Sequence, residues 1–269
     1  MIYYDEFGTW EASFGDRMRD LVGQPTIDGL IASDFRYVED AGDFISKSTN
    51  IETISTAIGE WLEENEFCIF HGTRLLPEEK RSVVRDGLRP LAATDREARL
   101  KEIFSSHPSW VSVEGNLASV IEDVGPGEQQ GGREGQVHFS LSRAGLVDGF
   151  NHYLTHGSEF DQCVARRLFP DGTGLQLLEA RTDPVLVHVR IEGIELIKGA
   201  HPYFSYREIV EMGEIPGLGS TFLNTWAFKV AKPSFDIATL KTDCCMMQRH
   251  PTSPERILRT EALDHLLLK

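Results

Sequence analysis

The sequence predicts an α+β protein: a mixed or antiparallel β-sheet with flanking helices and a helical N-terminal extension. Short apolar runs of strand length at 67–70, 137–141 and 184–191 are separated by stretches with helical spacing, and the clearest helical stretch precedes the first of those runs. The composition is that of a globular chain, with 41% hydrophobic and 26% charged residues over 269 positions, long enough to bury a substantial core. These features divide the chain into an extension over 1–65 and one domain over 66–269, with additions after about 216.

The elements follow in order. The segment up to 48 is mixed and punctuated by Gly and Asp, and reads as irregular helix. From 49 to 65, TNIETISTAIGEWLEEN places Ile51, Ile54, Ile58, Trp61 and Leu62 on one helical face, with Thr49 and Glu52 as a capping box. The run 67–70 is then a buried strand that stops at His71-Gly72-Thr73-Arg74. Pro77 and Gly87 bracket a helix over 77–86, and 95–105 reads as another. The segment 125–136, GPGEQQGGREGQ, is loop. After it come the strand VHFSL, a helix led by Ser142 that carries Phe150 and Tyr153, and a helix capped by Ser158. PVLVHVRI over 184–191 alternates its valines on one face as a strand, and REIVEM over 207–212 and WAFKV over 226–230 read as shorter strands.

Charge and motifs narrow the function. A formal net charge of −15 with no basic run disfavours a long nucleic-acid groove, though not a small basic pocket. Cys68, Cys163, Cys244 and Cys245 lack metal-type spacing, and reduced thiols in a cytoplasm are expected. No apolar stretch reaches the roughly 18 residues that a membrane span needs, and no secretory signal is visible. Phosphate-binding loops, Gly-x-Gly-x-x-Gly, His-Glu-x-x-His and Gly-x-Ser-x-Gly are all missing. His152 and His156 stand four apart, a spacing that two imidazoles can use to share a metal, but without an accompanying Glu motif a surface or capping role is expected.

What remains is a set of residues at strand ends. FCIFHGTRLLPEEKRSVVRDGLRPL, VHFSLSRAG, PVLVHVRI and SYREIVEMGEIP together resemble, over residues 66–216, the ADP-ribosyltransferase superfamily, whose fold is shared with the RNA 2′-phosphotransferases. The strongest likeness is the strand ending in His71-Gly72-Thr73 before a helix that closes with Gly87-Leu88. The resemblance implies the split sheet of that superfamily and NAD⁺ as substrate. By it, His71, Gly72 and Thr73 bind the nucleotide, His138, Phe139 and Ser140 supply the second strand, and Phe150 or Tyr153 stacks on nicotinamide. Gly72 lets the backbone approach the nicotinamide amide closely, and the His71 imidazole hydrogen-bonds a ribose.

The resemblance further implies a catalytic carboxylate that stabilises the oxocarbenium-like charge as nicotinamide departs, working with His71. Glu208 in SYREIV is the expected residue, and Asp243 in DCCMMQRHPTSPERIL competes with it. The expected activity is transfer of ADP-ribose to a macromolecular acceptor, a protein rather than a nucleic acid given the acidic chain, as in bacterial toxins and effectors that resemble it. VHFS also fits an RNA 2′-phosphotransferase. A module that binds NAD or ADP-ribose without catalysis, using 1–65 and 217–269 to hold a partner protein, is the third reading.

Overall fold

The structure is a computed structural model that describes residues 1–90, 92–125, 135–242 and 245–264. The chain is α+β. Strands β1 (Glu66–Leu75), β2 (Val137–Ser140), β3 (Asp183–Glu192), β4 (Cys245–Gln248) and β5 (Ile257–Ala262) form one five-stranded sheet in the order β4-β2-β1-β3-β5. The strand that carries His71 is therefore central, with β2 on one side and β3 on the other. β3 and β5 run antiparallel from Val185 opposite Ala262 to His188 opposite Arg259, with a register shift between His188 and Val189.

Contacts divide the chain into two compact units, one comprising 1–69, 140–145 and 190–246 and the other 70–139, 146–189 and 247–269. The first holds the helices Glu11–Val22, Gln24–Ala32, Val38–Ser48, Ile51–Glu63, Gly193–Ala200, Tyr206–Glu211 and Gly217–Ala231. Its core is aromatic. Trp61 lies 4.9 Å from Phe14 and 5.1 Å from Phe222 between ring centroids, and Trp10 lies 5.1 Å from Phe222, all edge to face. The helix Ile51–Glu63 matches the expected periodicity, but its cap is Asn50, whose Oδ1 accepts the Thr53 N–H, and not Thr49.

The short strands expected over 207–212 and 226–230 are both helical. In the first case Ser205 opens the helix Tyr206–Glu211: its Oγ accepts the Glu208 N–H, while the Glu208 carboxylate accepts from the Ser205 N–H. Tyr206 then wedges between two helices at small residues. Its hydroxyl donates to the Ser55 carbonyl at 3.0 Å, and a Cβ added to Gly59 or Gly219 would come within 3.0 or 2.8 Å of the ring or hydroxyl. In the second case Leu218, Phe222 and Trp226 recur every four residues and are all buried, so a helical stripe outweighs the strand propensity of five residues read alone.

In the second unit, Leu100, Phe104, Trp110, Leu117, Val164 and Leu178 lie in one hydrophobic cluster built from the helices Ala93–Phe104, Leu117–Val124, Glu159–Leu168 and Thr173–Arg181 with the turn at Trp110–Val113. Helix Pro77–Asp86 ends at Gly87 with φ +82°, a conformation that suits glycine, as expected. The Ser142-led helix is instead a π-turn at Gly145–Gly149 followed by the helix His152–His156. Of the expected loop over 125–136, residues 126–134 lie outside the described residues.

Within the first unit the segment that leaves β2 is held by a carboxylate. Asp5 accepts from the Ser142 hydroxyl at 2.7 Å, the Arg143 N–H at 2.6 Å and the Ala144 N–H at 3.2 Å, and the Ser142 Oγ accepts the Gly145 N–H at 2.8 Å. Anionic acceptors of backbone N–H groups are the strong members of their class. Asp5→Ala should lower unfolding free energy by about 2–3 kcal/mol in denaturant titration; an unchanged midpoint would show that the three bonds contribute nothing net.

Candidate functional site

β1 does not stop at His71 but continues to Leu75, so the His-Gly-Thr-Arg sequence is strand throughout. Alternation along a strand sends His71 and Thr73 to one face and Gly72 and Arg74 to the other. On the second face a Cβ at Gly72 would lie 3.0 Å from Leu146 Cδ2 and 3.2 Å from Leu154 Cδ2. The packing itself thus requires glycine there, a reason distinct from close approach to a ligand.

Arg74 is buried, and its guanidinium donates from Nη1 to the Leu154 carbonyl at 2.9 Å, from Nε to Thr182 Oγ1 at 3.0 Å and from Nη2 to the Glu179 carbonyl at 2.6 Å and the Thr182 carbonyl. Arg99 donates from Nη2 to the Arg74 carbonyl at 2.8 Å, from Nε to Glu79 at 2.8 Å and from Nη1 to Asp161 at 2.9 Å. The same Asp161, 1% exposed, holds Arg96 at both carboxylate oxygens, 3.0 and 2.6 Å away. None of these residues was singled out by sequence reasoning. One signal was visible: an arginine between Thr73 and the apolar pair Leu75-Leu76, at a core-facing strand position.

His71 meets β2 directly. Its Nδ1 donates to the His138 carbonyl at 2.8 Å, and its ring packs edge-on against buried Phe139 with centroids 5.8 Å apart. A carbonyl only accepts, so Nδ1 carries the proton and Nε2 carries the lone pair. Burial lowers the His71 pKa first of all; the bond to His138 opposes this in part, and the charges of His138 and Arg96 lower it further. The ring is therefore neutral at pH 7. Nε2 has no hydrogen-bond partner among the described residues.

Other expected residues fall as follows. The His138 ring lies 3.1 Å from Gln136 Oε1. Ser140 is buried and turned into its own chain, its Oγ donating to the Ser142 carbonyl at 3.0 Å and accepting from the Ser142 N–H at 3.2 Å. Phe150 is 41% exposed, and the Tyr153 hydroxyl donates to Glu159 at 3.4 Å. The helix of Tyr153 is seated on β1 through its neighbour Leu154, against Gly72 and Arg74. Glu208 opens no strand: it belongs to the other unit, exposed, its carboxylate held below the ordinary range by the Ser205 hydroxyl and N–H. Asp243 lies outside the described residues, while β4, which begins two positions later, is the sheet neighbour of β2.

His152 Nε2 lies 3.5 Å from Glu159 Oε1, and the His156 Nδ1 is buried without a partner; among the described residues no group of three or more His, Cys, Asp and Glu is arranged to hold a metal. A separate cleft of about 380 Å³ in the first unit is lined by Phe7, Glu11, Arg19, Lys229, Val230 and Pro233 and includes none of the expected residues. Among the described residues no helix is long and apolar enough to cross a membrane. Comparison with protein-family models, curated proteins and solved structures finds no match for this chain.

Two predictions follow from the site's electrostatics and capping. A histidine whose folded pKa lies below its unfolded value of about 6.5 takes up its proton first in the unfolded chain, so His71 stabilises nothing extra above that pH and costs stability as pH falls below it. His71→Gln should therefore flatten the loss of stability below about pH 6.5; thermal midpoints of both proteins between neutral and mildly acidic pH test this, and parallel curves would contradict it. Glu208→Ala should lower the denaturant midpoint slightly through loss of the reciprocal cap with Ser205, and an unchanged midpoint would show that the cap contributes nothing net.

Proposed function

We propose that this chain binds NAD⁺ and is an ADP-ribosyltransferase, with a sheet of that superfamily's type and a protein as acceptor. The observation that carries the reading is the state of His71: a neutral imidazole, fixed in one tautomer by the neighbouring strand, with a lone pair on Nε2 and no partner for it among the described residues. Such a group accepts a hydrogen bond from a hydroxyl, as a ribose offers, and cannot repel the positive nicotinamide ring as an imidazolium would. Tyr153 and Phe150, the aromatics that the resemblance assigns to stacking on nicotinamide, lie on and before a helix that packs on the Gly72 face of β1, with the Tyr153 ring 4.0 Å from that of His152.

In the reaction the bond between the ribose C1′ and the nicotinamide nitrogen breaks, its electron pair leaving with nicotinamide. The acceptor's nucleophile forms the new bond to C1′ and gives up its proton. A carboxylate near the ribose would stabilise the charge that develops at C1′. The Glu208 carboxylate is committed to the Ser205 cap, which weighs toward Asp243, the other candidate of the sequence. A net charge of −15 favours a protein acceptor over a nucleic acid.

Incubation with NAD⁺ and a protein lysate, with nicotinamide release and labelled protein as readouts, tests the reading. His71→Ala is expected to weaken NAD⁺ binding about five- to tenfold, the worth of one hydrogen bond. Glu208→Gln is expected to keep nicotinamide release and Asp243→Asn to lose it; the reverse result returns the role to Glu208. Absence of both NAD⁺ binding and nicotinamide release would overturn the assignment, and nicotinamide release that occurs only with 2′-phosphorylated RNA would favour the phosphotransferase reading.

A further inference from the structure

The cluster around Asp161 carries more positive charge than it neutralises. Three guanidiniums, of Arg74, Arg96 and Arg99, meet two carboxylates, of Glu79 and Asp161, leaving one positive charge over. Arg74 has only carbonyl and hydroxyl acceptors; the acids nearest to it in charge, Glu179 and Asp183, are exposed, and Asp183 is already paired with Lys80. An uncompensated charge away from water is costly, which is a reason to expect an anion from outside the chain.

One member of the cluster has a hand free. Arg96 is held by Nε and Nη2, which reach both oxygens of Asp161, and Nη2 also reaches Ser158 Oγ at 2.9 Å. Its Nη1 has no partner among the described residues, and the side chain keeps 19% of its surface exposed. The fork is thus fixed on one edge and open on the other, which is how a guanidinium is pre-organised for a second anion. Arg99, bridged to Arg96 by Asp161, donates to the carbonyl of Arg74, three residues beyond His71 on β1 or roughly 10 Å along the strand. The Arg96 charge is felt at the His71 ring.

We propose that Arg96 Nη1 is an anion-binding donor that takes a phosphate oxygen of the ligand whose hydroxyl His71 accepts, so that the second unit recognises a ribosyl diphosphate. Assigning that diphosphate to NAD⁺ rests on the function proposed above; the anion site itself does not. Among the described residues of the cluster, Arg99 is committed to Glu79 and Asp161, and Arg74 makes four hydrogen bonds to carbonyl and hydroxyl oxygens in the interior.

The test uses the full chain with inorganic pyrophosphate, ADP-ribose and adenosine, followed by calorimetry and by the histidine ring signals in NMR. Pyrophosphate should bind one to one, shift the His71 signals and raise the pH at which that ring titrates, since an anion offsets the Arg96 charge. Arg96→Gln should weaken pyrophosphate and ADP-ribose at least about tenfold and leave adenosine unchanged; Arg96→Lys, which keeps the charge but not the fork, should fall between. Failure of pyrophosphate to move the His71 signals in the unmodified protein overturns the proposal without recourse to any variant, as does undiminished binding by Arg96→Gln. Pyrophosphate binding without NAD⁺ binding would sustain the anion site and sink the transferase reading; NAD⁺ turnover untouched by Arg96→Gln would do the opposite.

Discussion

The second unit is organised about a guanidinium that has no carboxylate to hold it. Arg74, 2% exposed, is the bolt between β1 and its surroundings: its donors reach the backbone of the helix His152–His156 and the end of the helix Thr173–Arg181, while its own carbonyl receives Arg99. Carbonyls satisfy its hydrogen bonds without cancelling its charge. Two consequences run from that one residue. The helix that carries Tyr153 is pinned against Gly72, and the interior behind the strand stays positive in a chain whose total charge is −15.

The imidazole three positions earlier answers to a different guanidinium, that of Arg96. Burial already disfavours a charged His71, and a guanidinium nearby disfavours it further, while the His138 carbonyl demands a proton on Nδ1. Burial and charge make the ring neutral against the raising effect of the His138 bond, and that bond leaves the lone pair at Nε2. A carboxylate in place of the carbonyl would have raised the pKa and made the ring a donor on both sides. The recognition chemistry proposed for this site depends on that difference and on nothing remote in the chain.

Much of this architecture could be read from the sequence wherever a single period governed a segment. Ile54, Ile58, Trp61 and Leu62 announced their helix, Val185, Val187, Val189 and Ile191 their strand, and Pro77 and Gly87 the ends of the helix between them. The failures came from windows that were too short. REIV and WAFKV are rich in β-formers, but Ser205 with Glu208 forms a cap in the first, and Leu218, Phe222 and Trp226 form a helical stripe in the second. The pairing of β1 with β2 was legible through His71 and VHFS, whereas Arg74, Arg96 and Asp161 were not, because their meaning lies in contacts 25 to 108 residues apart. Asp5 gave no sequence signal at all.

The last step concerns why a four-residue strand can hold an acceptor in place. β2 is short, and short strands slide or fray unless other bonds fix them. At one end the His138 carbonyl is engaged by His71; at the other, Ser140 folds back on Ser142, and the backbone that follows is gathered by the Asp5 carboxylate. Each end is restrained within its own unit by bonds that involve buried or charged partners, the kind that cost most to break. A carbonyl held in this way can dictate the tautomer of His71 at all times rather than on average. The strand's own burial is confined to Val137, Phe139 and Ser140, so these bonds at its two ends carry much of what fixes its register.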